Sequence, residues 1–199
     1  MRLRGRGGGA AGPVDWLVVG LGNPGSEYEG TRHNLGFAVA RLLADRWELG
    51  KPKVKYRGLL SQGRAGPGGP RVAVLLPQTY MNDAGRSVGA ARGAAKVDLG
   101  RLLVIHDEID LPFGEIRTRV GGGLAGHNGL KSIRQAVGSP DFARLRIGVS
   151  RPDTTDPDLV ASYVLSRFRE PRQEVEQVVG RAADAAERIV LGEDGPDLD

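Results

Sequence analysis

Short apolar runs recur between segments of helical spacing, and this alternation confines the chain to a layered α/β architecture. Trp16-Leu-Val-Val-Gly20 is too brief for a helix and is closed by glycine, as a buried strand is. Residues 71–76 and 101–105 are further buried-strand runs, and residues 57–64 and 145–149 are also strand-like. The polar–apolar mixture at 115–120 suits an outer strand. Between these runs, Leu35, Ala38, Val39, Leu42, Leu43 and Trp47 recur at helical spacing until Gly50 stops the helix. Residues 84–95 and 127–137 read as helices. Val175, Val178, Val179, Ala182, Ala186, Ile189 and Val190 line one face of a C-terminal helix. Residues 66–70 form a hairpin-like turn into the 71–76 strand. There is no internal repeat and no inter-domain linker, so 199 residues are expected to build one α/β domain around a largely parallel sheet.

The chain has no cysteine, which removes disulfides, thiolate catalysis and Cys-ligated zinc. Its formal charge is +4, with four acids and no base in residues 193–199, so residues 1–192 carry +8. Of the 28 basic residues, 23 are arginine, whose planar fork suits phosphate. Such a balance favours a polyanionic partner, although a solvated basic surface explains it equally well. No apolar run reaches the roughly 20 residues that span a bilayer. The Arg/Gly-rich head, with Arg2, Arg4 and Arg6, lacks the apolar stretch of a secretory signal and reads as a disordered tail over residues 1–14. A cytoplasmic protein is expected, with an acidic tail at 192–199.

Gly20-Leu-Gly22-Asn-Pro-Gly25 matches the dinucleotide-binding pattern G-x-G-x-x-G directly after a strand. That fingerprint needs a helix opening at the glycines and an acid about 20 residues on, at the end of a second strand. Here Pro24, Gly25 and Gly30 keep the chain irregular to about residue 31, and Asp45 falls inside a helix. A nicotinamide enzyme is therefore the weaker reading.

Scarce polar residues carry the stronger signal. Three histidines (His33, His106, His127) and four asparagines (Asn23, Asn34, Asn82, Asn128) fall in four short windows. His33 sits where the loop after the first strand meets a helix, at the sheet edge where α/β proteins bind ligands. Asp107, at the end of another strand, is the partner that can fix its tautomer. Asn23, Asn82 and Asn128 follow strand-like elements and carry amides that can orient water or hold an oxyanion. Asparagine is also an ordinary turn and cap residue, and Asn34 is expected to be that case. No G-x-S-x-G elbow is present, and no H-x-x-x-H pair suggests a metal. His-assisted attack by water, without metal or cofactor, is the most economical chemistry. Arg117 and Arg119 alternate on one strand, and Arg144 and Arg146 on another, so each pair can face one phosphate or simply solvent. The glycine-rich segment 121–129 can cradle a phosphate or act as a lid.

Together the blocks resemble the bacterial-type peptidyl-tRNA hydrolase family. They are Val18-Val-Gly-Leu-Gly-Asn-Pro-Gly25, Tyr28 through Thr31-Arg-His-Asn34, Pro77-Gln-Thr-Tyr-Met-Asn82, His106-Asp-Glu-Ile-Asp-Leu-Pro112, Gly126-His-Asn-Gly-Leu-Lys131 and Phe142-Ala-Arg-Leu-Arg-Ile-Gly148. They occur in family order between about residues 15 and 191. The resemblance implies a single α/β domain with a twisted mixed sheet over that span, and hydrolysis of the ester joining a peptide to the 3′ ribose of tRNA. It implies His33 as the base that activates water and Asp107 as the residue that orients it. Asn23 and Asn82 would position peptide and ester, with Met81 lining the site and Asn128 holding water or the tRNA end. Tyr28 would contact the tRNA 3′ region, and Arg119 and Arg146 would clamp the 5′-phosphate; the first of these positions is often lysine in the family. The implied partner is peptidyl-tRNA, and a monomer without a stable protein partner is expected. Leu124-Ala125 and Phe113 depart from the family pattern, in loops rather than in the chemistry. An RNA-binding protein on the same fold, without hydrolysis, is the competing reading.

Overall fold

A computed structural model describes residues 13–194. The expected head at 1–14 and the acidic tail at 192–199 lie largely outside the described residues. Seven strands form one sheet: β1 (Trp16–Gly20), β2 (Lys53–Lys55), β3 (Gly58–Arg64), β4 (Arg71–Pro77), β5 (Leu102–Glu108), β6 (Ile116–Val120) and β7 (Ala143–Gly148). Their spatial order is β2-β3-β4-β1-β5-β7-β6. The four central strands run parallel, while β3 pairs antiparallel with β4, β2 with β3, and β6 with β7 on the other edge. The sheet is thus mixed and largely parallel, as expected.

The described residues form five α-helices, α1 (Leu35–Arg46), α2 (Ala84–Ala95), α3 (Asn128–Val137), α4 (Pro157–Val164) and α5 (Arg172–Leu191), of which all but α4 bury residues in the core. Strand alternation sends successive side chains to opposite faces. Trp16, Val18, Leu103 and Ile105 pack with α1 and α5, while Leu17, Val19, Leu102 and Val104 pack with α2 and α3. All five residues of β1 are buried, because both faces are covered. Among the described residues no helix is long and apolar enough to cross a membrane.

Several boundaries differ from expectation. α1 ends at Arg46 rather than at Gly50. Glu48 turns to φ 48 and the Leu49 N–H donates to the Ala44 carbonyl at 3.0 Å, closing the helix with no glycine. The Trp47 indole then donates to Glu187 of α5 at 2.6 Å. β5 continues through His106, Asp107 and Glu108, all buried. β2 and α4 had no counterpart in the sequence reading.

The glycines of the G-x-G-x-x-G segment serve packing. A side chain on Gly20 would strike the Gly36 carbonyl and Ala40, and one on Gly22 would strike the Phe37 ring. Gly25 adopts φ 115, and the helix opens only at Leu35. The Phe37 ring thus lies against the second glycine, where the fingerprint would bring the backbone to a pyrophosphate.

Candidate active site

The carboxyl ends of β4, β1 and β5 lie side by side, and each feeds one part of a polar cluster. From β1 the chain reaches Asn23. From β4 it reaches a short 3-10 turn, Met81–Asp83. At the end of β5 stands Asp107. A second 3-10 turn, Arg32–Asn34, carries His33 into the same edge just before α1.

His33 Nδ1 lies 2.9 and 3.0 Å from the two oxygens of Asp107, which is 2% exposed. A carboxylate only accepts, so this ring nitrogen carries a proton, and in the neutral ring Nε2 holds the free lone pair. Burial disfavours the His33 cation, but the charge of Asp107 and its hydrogen bond outweigh that, and the net pKa is raised from 6.5. Burial likewise opposes the Asp107 carboxylate. His33 and His127 more than offset it, holding the group well below the usual carboxylate range.

His127 is the second donor to Asp107, with Nε2 3.2 Å from Oδ1. Its Nδ1 accepts from the Gly129 and Leu130 N–H groups at 3.2 and 3.4 Å, so the ring also caps α3. These bonds fix one tautomer, with the proton on Nε2. His106 is fully buried, donates from Nδ1 to the Asp107 carbonyl at 2.7 Å and stacks edge-on against His127 at 4.9 Å. Burial, followed by His127, pushes its pKa down to about 3, so it is a neutral structural ring.

His33, Asp107 and His127 bring three potential ligand atoms within 4.8 Å of one another, a proximity that sequence spacing had not suggested. They are the residues that could hold a metal. A cation on His127 Nε2 would leave a ring with no proton on either nitrogen while Nδ1 still accepts from α3. The arrangement suits shared protons better than an ion.

Asn34 departs from its expected role. It stands at the helix start, yet its side chain makes no capping bond. Its Oδ1 accepts from the Asn23 N–H at 2.8 Å, and its Nδ2 donates to the Asn23 carbonyl at 3.0 Å. Asn23 Oδ1 accepts from the Met81 N–H at 2.7 Å. Asn23 is therefore held at three points, and its Nδ2 is left for a ligand. Met81 is buried, and its sulfur lies against Gly129 of α3, where a side chain would collide with it. Asn82 and Asn128, the next residues to Met81 and His127, are exposed, and Tyr28 is half-buried.

Arg32 is a further positioning residue that the sequence did not single out. Its guanidinium donates to the Arg167 carbonyl and the Ser166 hydroxyl at 2.7 and 2.8 Å and stands 4.2 Å from the Tyr163 ring centre. It pins the turn bearing His33 to the segment after α4.

Arg119 and Arg146 lie apart from these groups, on β6 and β7. Arg146 Nε is 3.1 Å from Glu108, the neighbour of Asp107. The loop at 121–126 offers a carbonyl rather than an amide cradle here: Gly123 O accepts from Arg144 at 2.8 Å.

A family model described as peptidyl-tRNA hydrolase matches residues 17–195. The peptidyl-tRNA hydrolase of Geobacillus thermodenitrificans is 47% identical over 175 residues, covering 87% of this chain and 92% of that protein. That of Streptomyces avermitilis is 46% identical over 183 residues, covering 88% of each. The crystal structure of peptidyl-tRNA hydrolase from Acinetobacter baumannii superposes with a TM-score of 0.78 at 36% identity, covering 93% of this chain and 92% of that one.

Proposed function

The chain belongs to the peptidyl-tRNA hydrolase family, a family of hydrolases, and we propose that it cleaves the ester between a peptide and the 3′ ribose of tRNA with His33 as general base. The observation that carries this reading is the bond from His33 Nδ1 to both oxygens of Asp107, which makes Nε2 the basic nitrogen of the neutral ring.

In the proposed reaction Nε2 takes a proton from water as the water oxygen bonds to the ester carbonyl carbon. The carbonyl electrons move onto oxygen. Asn23 Nδ2, left over after Oδ1 has accepted from Met81, is suited to donate to that oxyanion or to the first peptide carbonyl. When the intermediate collapses, the bond to the ribose oxygen breaks and the His33 imidazolium returns its proton to that oxygen. The products are a peptide carboxylic acid and tRNA. Asp107 remains ionised throughout, orienting the ring and stabilising its cation.

Met81 would line the site, and Asn82 and Asn128 would hold the peptide, the water or the RNA end. Tyr28 would contact the 3′ region, and Arg119 and Arg146 the terminal phosphate. Neutral amides at the first peptide bond would also select against a free, cationic α-amino group. Peptidyl-tRNA is the proposed partner, with the chain acting as a monomer in the cytoplasm and residues 15–191 as the working domain.

The test is hydrolysis of an N-blocked aminoacyl-tRNA. His33→Ala is expected to lose at least about 100-fold in kcat while keeping tRNA binding. An unchanged rate would overturn the His-base mechanism. An inactive wild-type protein that binds tRNA tightly would favour the RNA-binding reading.

A further inference from the structure

Four arginines share one face of the sheet at its β6–β7 edge. The antiparallel register sets Arg119 opposite Arg144 and Arg117 opposite Arg146. The register of β5 with β7 puts Arg146 beside His106, on the face that carries α3. Two of the four have carboxylate partners: Arg117 meets Glu115 at 2.5 Å and Arg146 meets Glu108 at 3.1 Å. Arg119 and Arg144 have none among the described residues.

Arg144 is the unusual member. It is 2% exposed, and one nitrogen, Nη1, donates to the Gly123 carbonyl. Its Nε and Nη2 are buried and unpartnered, as is Nε of Arg119. Burial, then the fields of Arg119 and Arg146, press its pKa down, with Glu108 alone opposing them. A guanidinium is costly in such a place unless an anion completes it. Three guanidiniums around one carboxylate leave a charge of +2. A phosphate monoester carries about −1.5 to −2 at pH 7 and presents oxygens that suit the arginine fork; a single carboxylate supplies half that charge.

The bond to Gly123 gives the site a second consequence. Gly122, at φ 76, lies so close to the Arg119 guanidinium that a Cβ there would collide with it. The loop thus rests on both unpaired arginines. It is continuous with the active centre: the His127 N–H donates to the Leu124 carbonyl at 2.9 Å, and the His127 ring donates to Asp107.

We propose that Arg144 is the buried third arm of a phosphate-monoester site with Arg119 and Arg146, and that its bond to Gly123 ties occupancy of that site to the loop presenting His127 to Asp107. This rests on the reading of Arg119 and Arg146 as the clamp for the terminal phosphate of tRNA. In that setting a substrate with its terminal phosphate seated would order the loop around His127. Arg144 acts as a positioning residue for the reaction and as a binding residue for the anion.

The experiment follows backbone amides by NMR as inorganic phosphate is titrated in, against chloride at matched ionic strength. In the wild-type protein phosphate is expected to shift the amides of residues 121–128 saturably, His127 included. Arg144→Gln, which removes the charge, is expected to weaken phosphate binding at least about tenfold and to abolish the His127 shift. Arg144→Lys keeps the charge without the fork and serves if the glutamine variant does not fold. It is expected to bind about threefold or more weakly and to lose the His127 shift. Wild-type affinity and loop shifts in either variant, or no saturable shift in the wild type, would overturn the proposal. The readout needs no turnover, so failure to hydrolyse peptidyl-tRNA would count against the proposed function and not against this site.

Discussion

Replacing His127 should separate two tasks that its ring performs. One is to cap α3 through Nδ1; the other is to hold Asp107 through Nε2. His127→Ala removes both. Loss of a helix N-cap costs about 0.5–2 kcal/mol. Loss of a hydrogen bond to a charged group costs about 1.5–3 kcal/mol. His127→Asn restores the cap, since asparagine is among the best N-cap residues, but its amide is too short to reach Asp107. The two variants should therefore differ by about 1 kcal/mol, or roughly 2–4 °C in Tm for a chain of this size. Their activities should not differ in step with that. Without its second donor Asp107 is less firmly placed, and if the lost bond is felt in full at the transition state, both variants fall about 10- to 100-fold in kcat/KM. Thermal melts and hydrolysis of an N-blocked aminoacyl-tRNA measure the two effects. If asparagine restored rate together with stability, the contact with Asp107 would be irrelevant to catalysis. If the two variants melted together, the cap would be the part without value.

Asn34→Leu should strip two partners from the buried backbone of Asn23, costing about 2–6 kcal/mol in urea unfolding, and should raise KM for the peptidyl substrate. A loss below about 0.5 kcal/mol would contradict the clasp. Arg119→Ala and Arg146→Ala should each reduce the salt slope of tRNA binding by about 1 and leave a minimal ester substrate little affected. Equal losses on both substrates would refute the phosphate clamp. Arg146→Ala should also lower stability, because it leaves Glu108 buried without its partner.

The parts of the fold that follow from apolar period were legible. β1 and the helix at 84–95 appear as read, and the outer strand at 115–120 is the antiparallel edge β6. The errors have physical causes. The apolar run ends at Ile105, but β5 continues through His106, Asp107 and Glu108, whose partners lie within the protein and allow their burial. β2 has three exposed residues and no apolar pattern to betray it. α4 buries no residue, so it lacks a core stripe, although Asp156 followed by Pro157 is a start signal that could have found it. At the site, residue type pointed to His33 and Asp107, and strand order brings them to one edge. Asn34 was misread because capping is the local habit of its position. Its two bonds to Asn23 cross 11 residues and are invisible to local rules. The pairing of His127 with Asp107 and the isolation of Arg144 likewise arise only when distant segments meet.

In the proposed mechanism Asp107 makes His33 the base, and the pH profile of kcat/KM reads that dependence. The base must be unprotonated, so activity rises with pH through the pKa of His33 in the folded protein. That pKa is raised, which places the acid limb above 6.5 in the wild-type enzyme. Asp107→Asn removes the charge that raises it and leaves the burial that lowers it. The limb is then expected to fall below 6.5, with a lower plateau rate. A limb that stays in place in Asp107→Asn would contradict that mechanism.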